Sequence, residues 1–302
     1  MRRAGIPFGR KIRDTIAAMR NWLLLPVSLL AAAVAFFAQT AAPNPTGISA
    51  GHIHIVVADP AAYQKTILSV LGGTPVNPGP LTMVKLPGIF FIMTQAKGAG
   101  PSGGSKGSTA DHMGFSVKSY AATKAKAEAA GLKVQELTAN VQAFVTFPND
   151  VIVEIQEDTA LPTETAFSHF HLMVPDQNAA REWYMKTFGG VEAQRRPGLK
   201  GVGVPPGTID FLGGGAGRGG KGKDGAPPPP PPAPPAATAG RFLDHIGFEV
   251  KDLDAFIKKL QADGVKIDSG PTDMTKQFGL KIAFITDPFG TRIELTEGLA
   301  KQ

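Results

Sequence analysis

The chain has 302 residues, a formal net charge of +6, 43% apolar residues and no cysteine. That length suits two domains of ordinary size, and the missing thiols exclude disulfides, thiolate metal sites and a cysteine nucleophile. The charge does not point to nucleic acid, because Arg2, Arg3, Arg10, Lys11, Arg13 and Arg20 face only Asp14 in residues 1–42, which leaves residues 43–302 at +1.

Residues 1–42 have the make-up of an export signal: a basic stretch, an apolar run of 17 residues from Trp22 to Ala38 broken by Pro26, then small residues through Ala42. The run is at the lower limit of a membrane span, so cleavage is expected rather than a permanent anchor. Any membrane contact is expected through this leader alone. Met19 is a second candidate start, since MRNWLLLPVSLL is a compact signal by itself. The mature chain is expected outside the cytoplasm, periplasmic or secreted.

Beyond the leader a strand pattern occurs four times, and it holds all six histidines. In each copy a histidine precedes a valine by five residues: His52 and Val57, His112 and Val117, His169 and Val174, His245 and Val250. His54 and His171 follow two residues behind the first and third histidines. Side chains alternate along a strand, so His52 and His54 share a face, as do His169 and His171.

Each strand runs into a predicted helix. Asp59, Ser119, Asp176 and Asp252 are placed to cap the starts, and Gly72, Gly131, Gly189 and Gly264 to close the ends. Two or three short alternating segments follow each helix and read as strands. The first and third helices resemble each other, as do the second and fourth, which predicts a duplicated pair over residues 49–158 and 167–298. The last strands of the second and fourth copies each carry a glutamate six residues after a proline, Pro148 to Glu154 and Pro288 to Glu294. Glycine-rich stretches interrupt the pattern at 97–110 and 213–240. The second runs into a proline tract and is expected to be a disordered or polyproline-II connector. A phosphate-binding role is not expected for its glycines, which lack the strand-to-helix setting.

These features resemble the vicinal oxygen chelate superfamily, which includes glyoxalase I, bleomycin-resistance proteins and extradiol dioxygenases. The four His-to-Val strands carry the resemblance, with Leu71-Gly72-Gly73, Phe188-Gly189-Gly190 and Asp287-Pro288-Phe289-Gly290 followed by Ile293-Glu294-Leu295. It implies an α+β fold of four βαβββ modules in two pairs, each pair forming a cupped mixed sheet with helices outside and a divalent metal in the cup. The sequence leaves open whether modules pair within each half or across halves; pairing along the chain gives His52, His112 and Glu154 in one cup, where the fourth ligand position falls near Phe91. It gives His169, His245, Glu294 and Asp210 in the other, with His54 and His171 as alternates. Nitrogen and oxygen donors of this kind suit Fe, Mn, Ni, Co or Zn.

The resemblance implies a lyase or isomerase acting on a small oxygenated substrate, with the metal as Lewis acid and Glu294 as base. Strict lactoylglutathione lyase activity fits an exported chain poorly, because glutathione is chiefly cytoplasmic. A non-catalytic binder like the bleomycin-resistance proteins is the alternative, and a chain with one active and one supporting half is another. Ring cleavage is disfavoured: Phe284 stands where extradiol enzymes need a tyrosine, and Thr275-Lys276-Gln277 offers no histidine. Trp183 and Tyr184 lie on the third helix at core spacing. No phosphate, nucleotide or nucleic-acid motif is present.

Overall fold

The computed structural model describes residues 41–213 and 234–302. Nearly all of the expected leader, and most of the glycine and proline stretch, lie outside the described residues.

Four modules follow one another, each a strand, a helix and three strands. The first comprises β1 (Ile48–Val57), α1 (Pro60–Val70), β2 (Thr74–Val76), β3 (Thr82–Leu86) and β4 (Ile89–Gln95). The second comprises β5 (Ala110–Val117), α2 (Tyr120–Ala129), β6 (Lys133–Thr138), β7 (Gln142–Phe147) and β8 (Val151–Glu157). The third comprises β9 (Thr165–Val174), α3 (Gln177–Phe188), β10 (Val191–Ala193), β11 (Lys200–Val204) and β12 (Gly207–Gly213). The fourth comprises β13 (Leu243–Val250), α4 (Leu253–Ala262), β14 (Ser269–Met274), a short α5 (Thr275–Phe278), β15 (Leu280–Thr286) and β16 (Arg292–Glu297).

The helix boundaries follow from cap chemistry. The side chains of Asp59, Ser119, Asp176 and Asp252 accept hydrogen bonds from the first-turn amides of their helices, which satisfies donors that a helix start leaves open. At the end of α3, Gly189 takes a left-handed φ of 64°, a conformation that costs glycine nothing and most other residues something.

The strands form two eight-stranded sheets, and the modules do not pair in chain order. The first sheet runs β14-β15-β16-β13-β1-β4-β3-β2 and joins the first module to the fourth. The second runs β10-β11-β12-β9-β5-β8-β7-β6 and joins the second to the third. The expected division into 49–158 and 167–298 therefore does not match the sheets. Connection length gives the reason: only residues 158–164 separate β8 from β9, whereas long glycine-rich segments lead from β4 to β5 and from β12 to β13. A short connection keeps its neighbours in one sheet, and the long ones carry the chain across.

Those crossings are packed where they are described. Ser105, Ser108 and Thr109 are fully buried, the Ser105 hydroxyl accepts from Ile152 N at 2.9 Å, and the Ser108 backbone bridges to Ala236. Thr238 is equally buried, and its amide donates to Gly290 O. Residues 234–240, expected to belong to a disordered connector, are thus built into the fold.

Alternation divides each sheet into two faces. Ile53, Ile55, Phe91 and Phe115 point to the helix side, where one apolar core draws on all four modules. Phe91 stacks on Phe115 and Phe170 meets Phe248 edge-on across the two sheets. Each such buried side chain contributes on the order of 1.5–3 kcal/mol. The opposite faces, the two cups, carry the histidines.

Candidate metal centres

In the first cup, His52 and His54 of β1 meet His245 of β13 and Glu294 of β16. In the second, His169 and His171 of β9 meet His112 of β5 and Glu154 of β8. Within each group the candidate donor atoms lie within 4.8 Å of one another. The clusters are related by exchange of modules: His52 corresponds to His169, His54 to His171, His245 to His112 and Glu294 to Glu154.

This regroups the expected ligands. His52 does not join His112 and Glu154, nor does His169 join His245 and Glu294, because the cups follow the sheet pairing and not the chain order. Both members of each His-x-His pair enter the cluster, as alternation along the strand requires. The fourth position of the first cup falls on Ile92 and not on Phe91, since His54 pairs with Ile92 and His171 with Asp210 in the corresponding ladders.

Two glycines make the clusters possible. His52, Gly247 and Glu294 form one row across β1, β13 and β16, and His169, Gly114 and Glu154 form the matching row across β9, β5 and β8. With no side chain between them, His52 Nε2 lies 3.1 Å from Glu294 Oε2, and His169 Nε2 lies 3.8 Å from Glu154 Oε2. A Cβ at Gly247 would overlap the His52 ring, and one at Gly114 the His169 ring. Gly247→Ala is therefore expected to abolish metal binding in the first cup only, and Gly114→Ala in the second only, with the circular dichroism unchanged. Metal titration of each variant checks this, and an unaltered stoichiometry in both would refute it.

Two aspartates support the clusters from behind. His112 donates from Nδ1 to Asp111 Oδ1 at 2.7 Å and from Nε2 to Glu154 Oε2 at 3.2 Å. His245 likewise donates to Asp244 Oδ1 and to Glu294 Oε2, both at 2.7 Å. Adjacent strand residues normally face opposite ways, but the register shifts around Asp111 and Asp244, and these bulges turn each carboxylate toward the next residue's ring. Arg292 Nη1 holds Asp244 Oδ1 at 2.6 Å. A carboxylate behind a histidine fixes the ring and its tautomer for metal binding.

The electrostatics differ from ring to ring. Burial pulls His112 and His245 down, but the hydrogen bonds they donate to their paired carboxylates prevail and hold both above the ordinary histidine range. Burial lowers His52, and takes His169 down to about 4. For Glu154, burial opposes ionisation, but the hydrogen bond from His112, the nearby His169 ring and the hydrogen bond from Gln142 hold it well below the usual carboxylate range. A cation entering either cup must displace a proton from a raised histidine. Metal affinity is therefore expected to fall below the raised His112 and His245 values and to rise through them with pH, by about one log unit per pH unit for each proton released. Calorimetric titration at several pH values checks this, and a flat profile would contradict it.

The residues present fit a divalent metal. His52 Nδ1, His54 Nδ1, His169 Nε2, His171 Nε2 and Asp210 Oδ1 are buried and have no hydrogen-bond partner among the described residues, a condition that native proteins explain by an ion or water. Three imidazoles and a carboxylate suit Fe, Mn, Ni, Co or Zn better than Ca or Mg.

The cups differ at their edges. In the second, Asp210 is fully buried beside His171, with Oδ2 at 3.6 Å from His171 Nε2 and 3.2 Å from Arg195 Nη1. Burial raises its pKa, and Arg195 partly offsets that. Gln142 Nε2 donates to Glu154 Oε1 at 2.8 Å. In the first cup the places of Asp210 and Gln142 are taken by Ile92 and Ile282. Phe284 stands edge-on to His245 at 5.3 Å and has no hydroxyl to offer.

Residues 166–295 match the model of the Glyoxalase/Bleomycin resistance protein/Dioxygenase superfamily. No curated protein matches the chain. Among solved structures, glyoxalase I from Zea mays is similar over 84% of this chain and 94% of its own, at 14% identity and a TM-score of 0.58. A candidate dioxygenase from Bacillus subtilis is similar over 86% of both chains, at 14% identity and a TM-score of 0.57. At that identity the likeness is one of fold.

Proposed function

We propose that this chain, which has the vicinal oxygen chelate fold and a glyoxalase-superfamily match over residues 166–295, is a divalent-metal-dependent lyase or isomerase working in its second cup. The observation that carries this reading is a second buried carboxylate at the edge of the histidine cluster: Asp210, with Oδ1 lacking a partner. His112, His169, His171 and Glu154 would hold the metal, which when bound supplies Lewis-acid polarisation of a substrate carbonyl.

The protein's own groups account for the rest. Glu154, fixed by His112 and Gln142, stays ionised as a metal-holding carboxylate. Asp210 accepts and returns a proton on the carbon next to that carbonyl, and its raised pKa makes it a stronger base than an exposed aspartate. Gly201, the ladder partner of Asp210 on β11, makes room for its carboxylate, since a Cβ there would overlap Asp210 Oδ1. Glu294, the base expected from the chain-order pairing, stands instead in the first cup beside apolar neighbours. The substrate on this reading is a small α-hydroxy or α-oxo carbonyl compound.

The test is solvent deuterium wash-in, followed by NMR, on a panel of small α-hydroxyketones and α-hydroxyaldehydes with the metal-loaded protein. Exchange at the carbon beside the carbonyl supports the reading. Bound metal without exchange on any member would favour the small-molecule binding protein. The leader at 1–42 is proposed to direct export, so that protein recovered from a periplasmic fraction begins near residue 43. A full-length amino terminus in that fraction would overturn the export reading.

A further inference from the structure

The two cups share their ligands but not their linings. Beside His52 and His54, the ladder places Phe90 and Ile92 on the cup face of β4, and Met83 faces Ile92 from β3. Phe90 and Met83 are 0% exposed and Ile92 is 4% exposed, although they lie on the face that should be open. They are covered by the segment that follows β16. Leu299, also 0% exposed, joins Met83, Phe90, Ile92 and Leu280 in an apolar cluster separate from the main core, flanked by Leu81, Phe278 and Ile282.

That segment is held by polar contacts at both ends. Glu249 Oε1 accepts from Gly298 N at 2.9 Å and from Ala300 N at 3.2 Å, while its Oε2 accepts from Leu299 N at 3.2 Å. Lys85 Nζ donates to Gln302 O at 2.7 Å, and Gln302 Nε2 donates to Phe278 O at 3.2 Å. A carboxylate that takes three successive amides fixes the turn containing Leu299. At the place of Phe90 the second cup has Thr208, which is half-buried and belongs to no apolar cluster.

We infer that residues 298–302 are a built-in plug of the first cup, which excludes small molecules from the face that Met83, Phe90 and Ile92 line beside His52. The position of this apolar stopper depends on Glu249 and Lys85. Removing the stopper exposes a pocket lined by Met83, Phe90, Ile92 and Leu280, suited to a compact apolar or aromatic molecule.

The inference is separable from the metal reading, because its test uses metal-free protein. In the unaltered chain, hydrogen exchange followed by NMR should show the amides of Gly298, Leu299 and Ala300 slowed at least 100-fold relative to an unstructured peptide. Free exchange there would overturn the plug, whatever becomes of any variant. The dye 1-anilinonaphthalene-8-sulfonate should stay dark with the full chain and gain saturable fluorescence with a chain lacking residues 298–302. Leu299→Asp should do the same in a chain of unchanged length. Folded variants that remain as dark as the parent would also overturn it.

Discussion

Asp210→Asn is expected to lower deuterium wash-in about 1000-fold, within the range that a positioned base supplies, while leaving metal content unchanged. Asparagine keeps the shape and the contact with Arg195 but cannot take a proton, and Asp210 stands outside the group whose donor atoms converge within 4.8 Å. Glu294→Gln, in the other cup, should change wash-in no more than about two-fold, because the effects of distant, independent sites are nearly additive. Retained metal with lost exchange in Asp210→Asn separates a proton-moving role from a structural one. Full exchange in that variant would remove Asp210 from the reaction.

Metal removal should produce the largest change in stability. Each cluster brings three imidazoles and a carboxylate together from strands far apart in the sequence, so the unfolded chain cannot reproduce the site and metal binding adds directly to folding free energy. At a free-metal concentration 100 times the dissociation constant, each site contributes about 2.7 kcal/mol, or about 5 kcal/mol for two. For a chain of this size that corresponds to a melting temperature roughly 10–20 °C higher with metal than in chelator. Differential scanning of loaded and chelated protein measures it. Coincident melts would argue against tight sites in either cup.

Much of this was legible in the sequence. The His-to-Val spacing located all four leading strands, Asp59, Ser119, Asp176 and Asp252 located the helix starts, and Glu154 and Glu294 stand at corresponding places on β8 and β16. What the strand pattern did not convey was which modules share a sheet. Alternation and capping are local, whereas pairing depends on how far each connection reaches. The lengths were visible all the same: seven residues at 158–164 against fourteen at 96–109.

The supporting residues were also in view. Copies two and four read Asp-His-x-Gly, at Asp111 to Gly114 and Asp244 to Gly247, where copies one and three read His-x-His. Glycine in a strand signals close approach by a neighbour, and here the neighbour is a histidine ring. The contribution of Asp111 and Asp244 was hidden because strand alternation points them away from the next residue, and only the bulge reverses that. The plug could not be read at all, since Leu299 follows the last repeat and its partners are set by tertiary packing alone.

Elemental analysis of metal-loaded variants distinguishes metal centres formed across the halves of the chain from centres formed within each half. Two metals are expected in the parent, one in His52→Ala/His245→Ala and in His112→Ala/His169→Ala, and none in His52→Ala/His112→Ala. One metal retained in His52→Ala/His112→Ala, with none in His52→Ala/His245→Ala, would mean that ligands pair along the chain, and absence of metal from the loaded parent would mean that neither cup is a metal centre.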